Sequence, residues 1–323
     1  MMKTATLGRT GIQVSRLCFG TLVLGPLQEN LPVEKGADLL LEAMEAGIDF
    51  FDTAEIYGTY PYMRRALKRN AGRKNITIAA KSYAHDAKGA AKSLEHARQG
   101  MDVDVVDLFL LHEQESEYTL AGHQAALDHY LECRQKGMIR AVGLSTHCIA
   151  GVLACAERPE LEVVHPLINR TGLGIQDGTI DRMLKAVKKV HDQGKGVYSM
   201  KALGGGNLMG SYAQSLGFVL DLDCVDAVAI GMKNSAEIEA NRSFLKNRSI
   251  SEITMQRIRS IPRKLHIDPW CTGCGNCVEL CRQKALFIQK SRDGSPKAEV
   301  FSERCILCGY CSRACANFAI KIF

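Results

Sequence analysis

CTGCGNCVELC (271–281) and CILCGYCSRAC (305–315) both read C-x2-C-x2-C-x3-C, and each cysteine of the second lies 34 positions after its counterpart in the first. The tail is therefore an internal repeat. A cubane iron–sulfur cluster needs four thiolates, one per iron. Three cysteines two residues apart wrap a loop around three irons, and the fourth, three further on, reaches the neighbouring cluster. This assigns Cys271, Cys274, Cys277 and Cys315 to one [4Fe–4S] cluster, and Cys305, Cys308, Cys311 and Cys281 to a second. Gly273, Gly275 and Gly309 let the backbone pass close to inorganic sulfide. Zinc favours separated C-x2-C pairs, and disulfides suit small secreted domains, so neither accounts for the pattern.

The stretch from Trp270 to Phe323 resembles bacterial dicluster ferredoxins, which implies a small α+β domain holding two [4Fe–4S] clusters. The proline usual after each fourth cysteine is Arg282 in the first half and Ala316 in the second. That exchange alters the turn and leaves the ligands in place.

The composition of the whole chain is that of a water-soluble folded protein, with 46% hydrophobic and 24% charged residues among 323. Without the tail, about 260 residues remain, a usual size for an α/β barrel. No apolar run reaches the ~18 residues a membrane span needs. The opening MMKTATLGRTG lacks the apolar core of a signal peptide, and the remaining cysteines (Cys18, Cys133, Cys148, Cys155, Cys224) are scattered. The expectation is a cytoplasmic protein with reduced thiols. The formal charge is +6. Two clusters with their thiolates, each roughly −2, bring the loaded protein near neutrality. The basic residues Arg242, Lys246, Arg248, Arg257, Arg259, Arg263 and Lys264 read as a solvated helix face, or as a surface for an acidic redox partner, and not as a nucleic-acid site.

Residues 2–16 predict a hairpin. Apolar runs of strand length follow at 17–22, 48–52, 76–81, 105–112, 139–144, 163–169, 196–203 and 227–231. Between them lie helical stripes, such as Val33, Ala37, Leu40, Leu41 and Met44 closed by Gly47, or Ile180, Met183, Leu184, Val187 and Val190 closed by Gly194. Continuously apolar strands alternating with amphipathic helices predict a parallel sheet covered by helices. Eight units favour a closed (β/α)8 TIM barrel over an open sheet, whose G-x-G-x-x-G fingerprint is missing. Residues 246–268 read as a polar helical stretch and linker. The expected division is a barrel over 1–262 and the dicluster domain over 263–323.

In such barrels the reacting groups sit at the C-terminal ends of strands. Read in order, those ends carry Asp52, with Tyr57 in the loop behind it, then Lys81, then His112. Singly, these are a helix cap, a packing ring, a surface charge and a core histidine. Jointly they occupy one rim. FDTAEIYG (51–58), AAKSY (79–83), LFLLHEQ (108–114), GLSTH (143–147) and IGMKNSAEIEAN (230–241) resemble, in that order, the aldo-keto reductases. The resemblance covers most of 1–245. It implies carbonyl/alcohol interconversion of a small molecule, with Tyr57, Asp52, Lys81 and His112 as the catalytic set. Tyr57 is the expected general acid, its pKa of about 10 lowered by the Lys81 ammonium. Asp52 holds Lys81, and His112 orients the carbonyl. The resemblance also implies NADP or NAD, at Gly20, Thr21, Asp52, Ser145, His165, Met200, Lys201, Gly205, Gly231, Lys233 and Asn241. His165, Met200 and Glu237 depart from the family pattern; a carboxylate at 237 disfavours a 2′-phosphate.

A nicotinamide moves an electron pair and a cubane moves one electron. The clusters are therefore expected to serve electron transfer, to a partner protein or a flavin. The alternative is an iron–sulfur electron-transfer subunit whose barrel docks a partner enzyme, such as a flavoprotein.

Overall fold

The computed structural model describes residues 2–70, 75–291 and 293–323. Its chain opens with the predicted hairpin, β1 (Thr4–Thr6) and β2 (Gln13–Ser15), antiparallel with Ala5 opposite Val14. Then come β3 (Leu17–Gly20), β4 (Phe50–Asp52), β5 (Thr77–Ser82), β6 (Val106–Leu111), β7 (Ile139–Thr146), β8 (Val163–Pro166), β9 (Gly196–Ser199) and β10 (Ala227–Ile230). Among the described residues these eight parallel strands close in the order β10-β3-β4-β5-β6-β7-β8-β9. The predicted barrel is the observed one.

The barrel has two apolar compartments. Inside it, Cys18, Phe50, Leu108 and Tyr198 pack with Leu7, Ile12 and Val14 of the hairpin region, which plugs one end. Between strands and helices lies the larger core. The helix Val33–Glu45 buries Ala37, Leu40 and Met44 there, and the helix Ile180–Asp192 buries Met183, Val187 and Val190. Val33, at the start of its stripe, is exposed. Two predicted strands stop early, at Pro166 and Ser199. Proline has no N–H to extend a ladder. Beyond it only the single bridge Leu167–Met200 forms, and Lys201 takes a left-handed φ of 64°.

Register sets the rim. Asp52 lies beside Gly20 on one side and Ala79 on the other, and Lys81 lies beside Leu110. The cations of the basic stretch are partly paired on the surface, Arg242 with Glu239 at 2.8 Å and Arg259 with Glu252 at 3.1 Å. No described helix is long and apolar enough to cross a membrane.

The tail contains two small antiparallel sheets. β11 (Leu265–Ile267) pairs with β14 (Ile320–Ile322), and β12 (Leu286–Lys290) pairs with β13 (Pro296–Val300). Residues 246–268, read as helix and linker, hold the helix Glu252–Ser260, but Leu265–Ile267 is a strand. Three residues carry too little alternation to show it.

The tail leans on the barrel through the Gly204–Gly206 turn. Asn207 Nδ2 donates to the Gly204 carbonyl at 2.8 Å and to the Ile320 carbonyl at 3.4 Å, and Ser312 Oγ donates to Asn207 Oδ1 at 2.6 Å. Gly206 has φ +85°, and a Cβ there would overlap the Ile322 carbonyl. Gly206→Ala therefore carries backbone strain of about 1 kcal/mol or more and pushes β14 off the turn. The expected outcome is faster amide exchange in 320–322 with the barrel strands unchanged, read by hydrogen-exchange mass spectrometry.

Candidate active site and cluster quartets

At the rim, Lys81 and Asp52 are both buried, at 1% and 4% exposure. The Lys81 ammonium donates to both Asp52 oxygens at 2.7 Å and to the Thr53 carbonyl at 2.7 Å. Tyr198 Oη donates to Asp52 Oδ2 at 2.9 Å. These bonds satisfy a pair that burial would otherwise make costly. Lys81→Met removes one partner only. It strands the Asp52 charge and costs about 3–5 kcal/mol in urea denaturation.

Tyr57 closes the short turn Glu55–Tyr57 behind β4. The Lys81 ammonium stands 5.0 Å from its ring centre, and the His112 ring 5.7 Å away at 75°. The expectation that Lys81 lowers the Tyr57 pKa is corrected here. Burial raises it well above its ordinary value, and the Asp52 and Glu113 charges push the same way. The physical reason is burial, which disfavours the phenolate first of all, while the Asp52 carboxylate beside Lys81 opposes the cation's pull. Tyr57 is thus held protonated.

His112 follows β6, its backbone N–H donating to the Ser82 carbonyl at 2.9 Å. Its ring stacks on Tyr83 at 4.4 Å, and its Nδ1 is buried without a partner. Burial, and then the Lys81 charge, lowers its pKa well below the usual imidazole value, so the ring is neutral.

Two cavities meet at this rim. One, of about 180 Å³, is lined by Gly20, Asp52, Tyr57, His165, Met200, Lys201, Gly205, Gly231, Lys233 and Asn241, together with Arg263, Lys321, Ile322 and Phe323. The other, of about 320 Å³, is lined by Tyr57, Tyr83, His112, Glu113, His147, Met200, Lys201, Trp270, Phe318 and Lys321. Of the residues expected to hold a nucleotide, Thr21 and Ser145 face neither. Thr21 Oγ1 donates to the Asp52 carbonyl at 3.0 Å, and Ser145 Oγ accepts from the Glu113 N–H at 2.9 Å. His165 stacks on Tyr198 at 3.9 Å. Lys233 Nζ is paired with Glu29 at 2.8 Å, and Glu237 accepts the Lys233 N–H at 2.9 Å. Gly205, expected at the nucleotide, lies against Lys321, and the next residue, Gly206, against Ile322.

Sequence reading missed the tail's share of these walls. The one available signal was Lys321, a lysine inside the apolar run AIKIF. It is 2% exposed, 3.3 Å from Asp268, and donates to the Phe318 carbonyl.

Among the tail thiols, Cys277 lies near Cys271, Cys274 and Cys315, and Cys311 lies near Cys305, Cys308 and Cys281 and also near Cys277. Cys277 is pushed up by burial, then by Cys271, Cys315 and Cys274. Cys311 is pushed up to about 12 by burial, then by Cys277, Cys305, Cys308 and Cys281. Crowded thiols of this kind suit a cationic inorganic core that binds them as thiolates. Cys281, Cys305, Cys308 and Cys311 line a hollow of about 270 Å³. The Ala285 N–H donates to Cys281 Sγ at 3.3 Å and the Ala319 N–H to Cys315 Sγ at 3.2 Å. The turn after each fourth cysteine thus forms without proline. Gly273 has its Cβ position filled by the Pro296 carbonyl, a protein reason for glycine there.

Residues 270–319 match the 4Fe-4S dicluster domain, and residues 16–217 match the Aldo/keto reductase family. L-galactose dehydrogenase of Arabidopsis thaliana is 24% identical over 212 residues, 62% of this chain and 66% of that protein. The methylglyoxal reductase of Yersinia pestis is 25% identical over 179 residues, 50% of this chain and 60% of its own. A probable aldo-keto reductase of Glycine max is 28% identical over 199 residues, 52% and 56% of the two chains. The chain thus spans less than two thirds of the length of the first two of these curated relatives. In fold it is similar to a solved aldo-keto reductase of Bacillus halodurans, with a TM-score of 0.63 at 19% identity, over 80% of this chain and 96% of that one. With its family match covering more than half of its length, the chain belongs to the aldo/keto reductases and carries a C-terminal 4Fe-4S dicluster domain.

Proposed function

We propose that this protein interconverts a small carbonyl compound and its alcohol with a nicotinamide cofactor. One observation carries the reading: Tyr57, His112 and the Lys81–Asp52 pair converge where the two cavities join. A bound reduced nicotinamide supplies the hydride. Tyr57, held protonated by burial, gives its proton to the carbonyl oxygen. Neutral His112 donates a hydrogen bond to that oxygen and fixes its direction. The Lys81–Asp52 pair anchors the rim. Gly20, Met200, Lys201 and Gly231 are the proposed cofactor walls; Thr21 and Ser145 support them from behind.

The eight tail cysteines hold two [4Fe–4S] clusters in the quartets given above, and the domain boundary falls near residue 262, between the helix Glu252–Ser260 and β11. The clusters serve single-electron exchange with a redox partner. Trp270 and Phe318 favour this reading, because Trp270 directly precedes Cys271, the Phe318 N–H donates to the Cys315 carbonyl at 3.0 Å, and both rings line the cavity of His112. The proposal uses no flavin.

The test is anaerobic stopped-flow mixing of cluster-loaded protein with NADH or NADPH and a panel of aldehydes and 2-oxo acids. Loss of nicotinamide absorbance that needs both the carbonyl and Tyr57 supports the proposal. Turnover that ignores Tyr57→Phe, or no nicotinamide binding, ends it.

A further inference from the structure

We infer that the carbonyl substrate is an anion, a 2-oxo acid whose carboxylate is held between Lys201 of the barrel and Lys321 of the tail. The inference rests on the carbonyl-reducing reading and adds the substrate class to it.

Both lysines line both cavities, as Tyr57 does, so their ammonium groups stand at the junction where the reacting carbonyl is placed. They come from opposite sides, Lys201 just past β9 and Lys321 within β14. Lys201 adopts a left-handed φ of 64°, a backbone cost of the kind found at ligand sites. Its ammonium stands 5.5 Å from the Phe318 ring centre and has no carboxylate at ion-pair distance among the described residues. Lys321 has one buried carboxylate nearby, Asp268 at 3.3 Å. Of the cavity's own groups, Glu113 accepts from Tyr83 Oη at 2.5 Å and keeps its charge toward Lys201, while burial holds His112 and His147 neutral. Burial lowers the pKa of both lysines, and the Lys201 charge helps bring Lys321 to about 7, against the opposing pull of Asp268 on both and of Glu113 on Lys201. A substrate carboxylate between them restores the balance. Because the cations sit at the junction and not at a far wall, that carboxylate is adjacent to the carbonyl.

The step is balanced without the clusters. A reduced nicotinamide held at Gly20, Met200 and Gly231 would supply the hydride that reduces C2 and would itself be the group oxidised. Tyr57 gives a proton to the carbonyl oxygen, and a 2-hydroxy acid leaves.

The experiment is calorimetric titration of the full, cluster-loaded chain with oxamate, an unreactive anionic mimic, and with its neutral counterpart oxamide. Oxamate is expected to bind about tenfold or more tightly than oxamide, and Lys321→Met to remove that preference while Lys321→Arg keeps most of it. Lys201→Met, on the barrel side, gives the same loss and stands in should Lys321→Met fail to retain its iron. Equal binding of the two probes, or an oxamate preference untouched by Lys201→Met, overturns the inference. So does a weakening of NADH binding with oxamate unaffected, which assigns the lysines to the cofactor's diphosphate. Lysine-dependent oxamate binding with no 2-oxo acid consumed leaves the anion site standing and sinks the carbonyl-reducing reading instead.

Discussion

Removing the iron from the tail unfolds it and leaves the barrel standing. The tail's fully buried apolar core is small: Leu265, Leu286, Ala298 and Ile320, with Cys277 and Cys311 as the other members, and further cysteines packed around it. Its sheets have two strands each, a size that is marginal alone in water. Domains of about 60 residues with so little core need staples, and metal binding then supplies the folding free energy. Without clusters, Cys277 and Cys311, whose pKa values are raised first by burial, stay neutral thiols that cross-link nothing. Hydrogen-exchange mass spectrometry before and after anaerobic chelation is expected to show 265–267, 286–300 and 320–322 exchanging at nearly unprotected rates. The barrel strands, enclosed by their own cores, keep their protection. A tail that stays protected after complete iron loss contradicts this.

Tyr57→Phe is the second large effect. A positioned proton donor contributes about 10²–10⁴ in rate. The substitution removes one oxygen and keeps the ring against Lys81 and His112, at 5.0 and 5.7 Å. The expected result is a fall in kcat of about 10²–10⁴ with KM, melting temperature and iron content unchanged. Raising the pH into the alkaline range leaves the wild-type proton donor in place longer than an ordinary tyrosine, since burial raises this phenol's pKa. A kcat that declines around pH 10 contradicts that assignment.

The barrel was legible because its strands are buried on both faces and so read as nearly continuous apolar runs, β6 being VDLFLL with every residue buried and Asp107 its one charge. The rim was legible for the same reason. Asp52, Lys81 and His112 are polar residues interrupting or ending such runs, and strand direction places those ends together. What stayed hidden depends on docking. That Trp270, Phe318 and Lys321 wall a cavity of the barrel follows from β14 resting on the Gly204–Gly206 turn, a contact between segments far apart in the chain. The raised Tyr57 pKa was hidden too, since it follows first from how deeply the fold buries the phenol and then from the Asp52 and Glu113 charges near it. Thr21 and Ser145 look alike in sequence to cavity residues, and only their hydrogen bonds show that they brace the rim from behind.

Trp270 and Phe318 both line the cavity; Trp270 directly precedes Cys271, and the Phe318 N–H donates to the Cys315 carbonyl at 3.0 Å. Filling that space with an anion changes the charge and the water content beside the iron. The electron paramagnetic resonance spectrum and midpoint potential of the reduced Cys271–Cys315 cube then become a built-in gauge of occupancy, readable even where no turnover takes place.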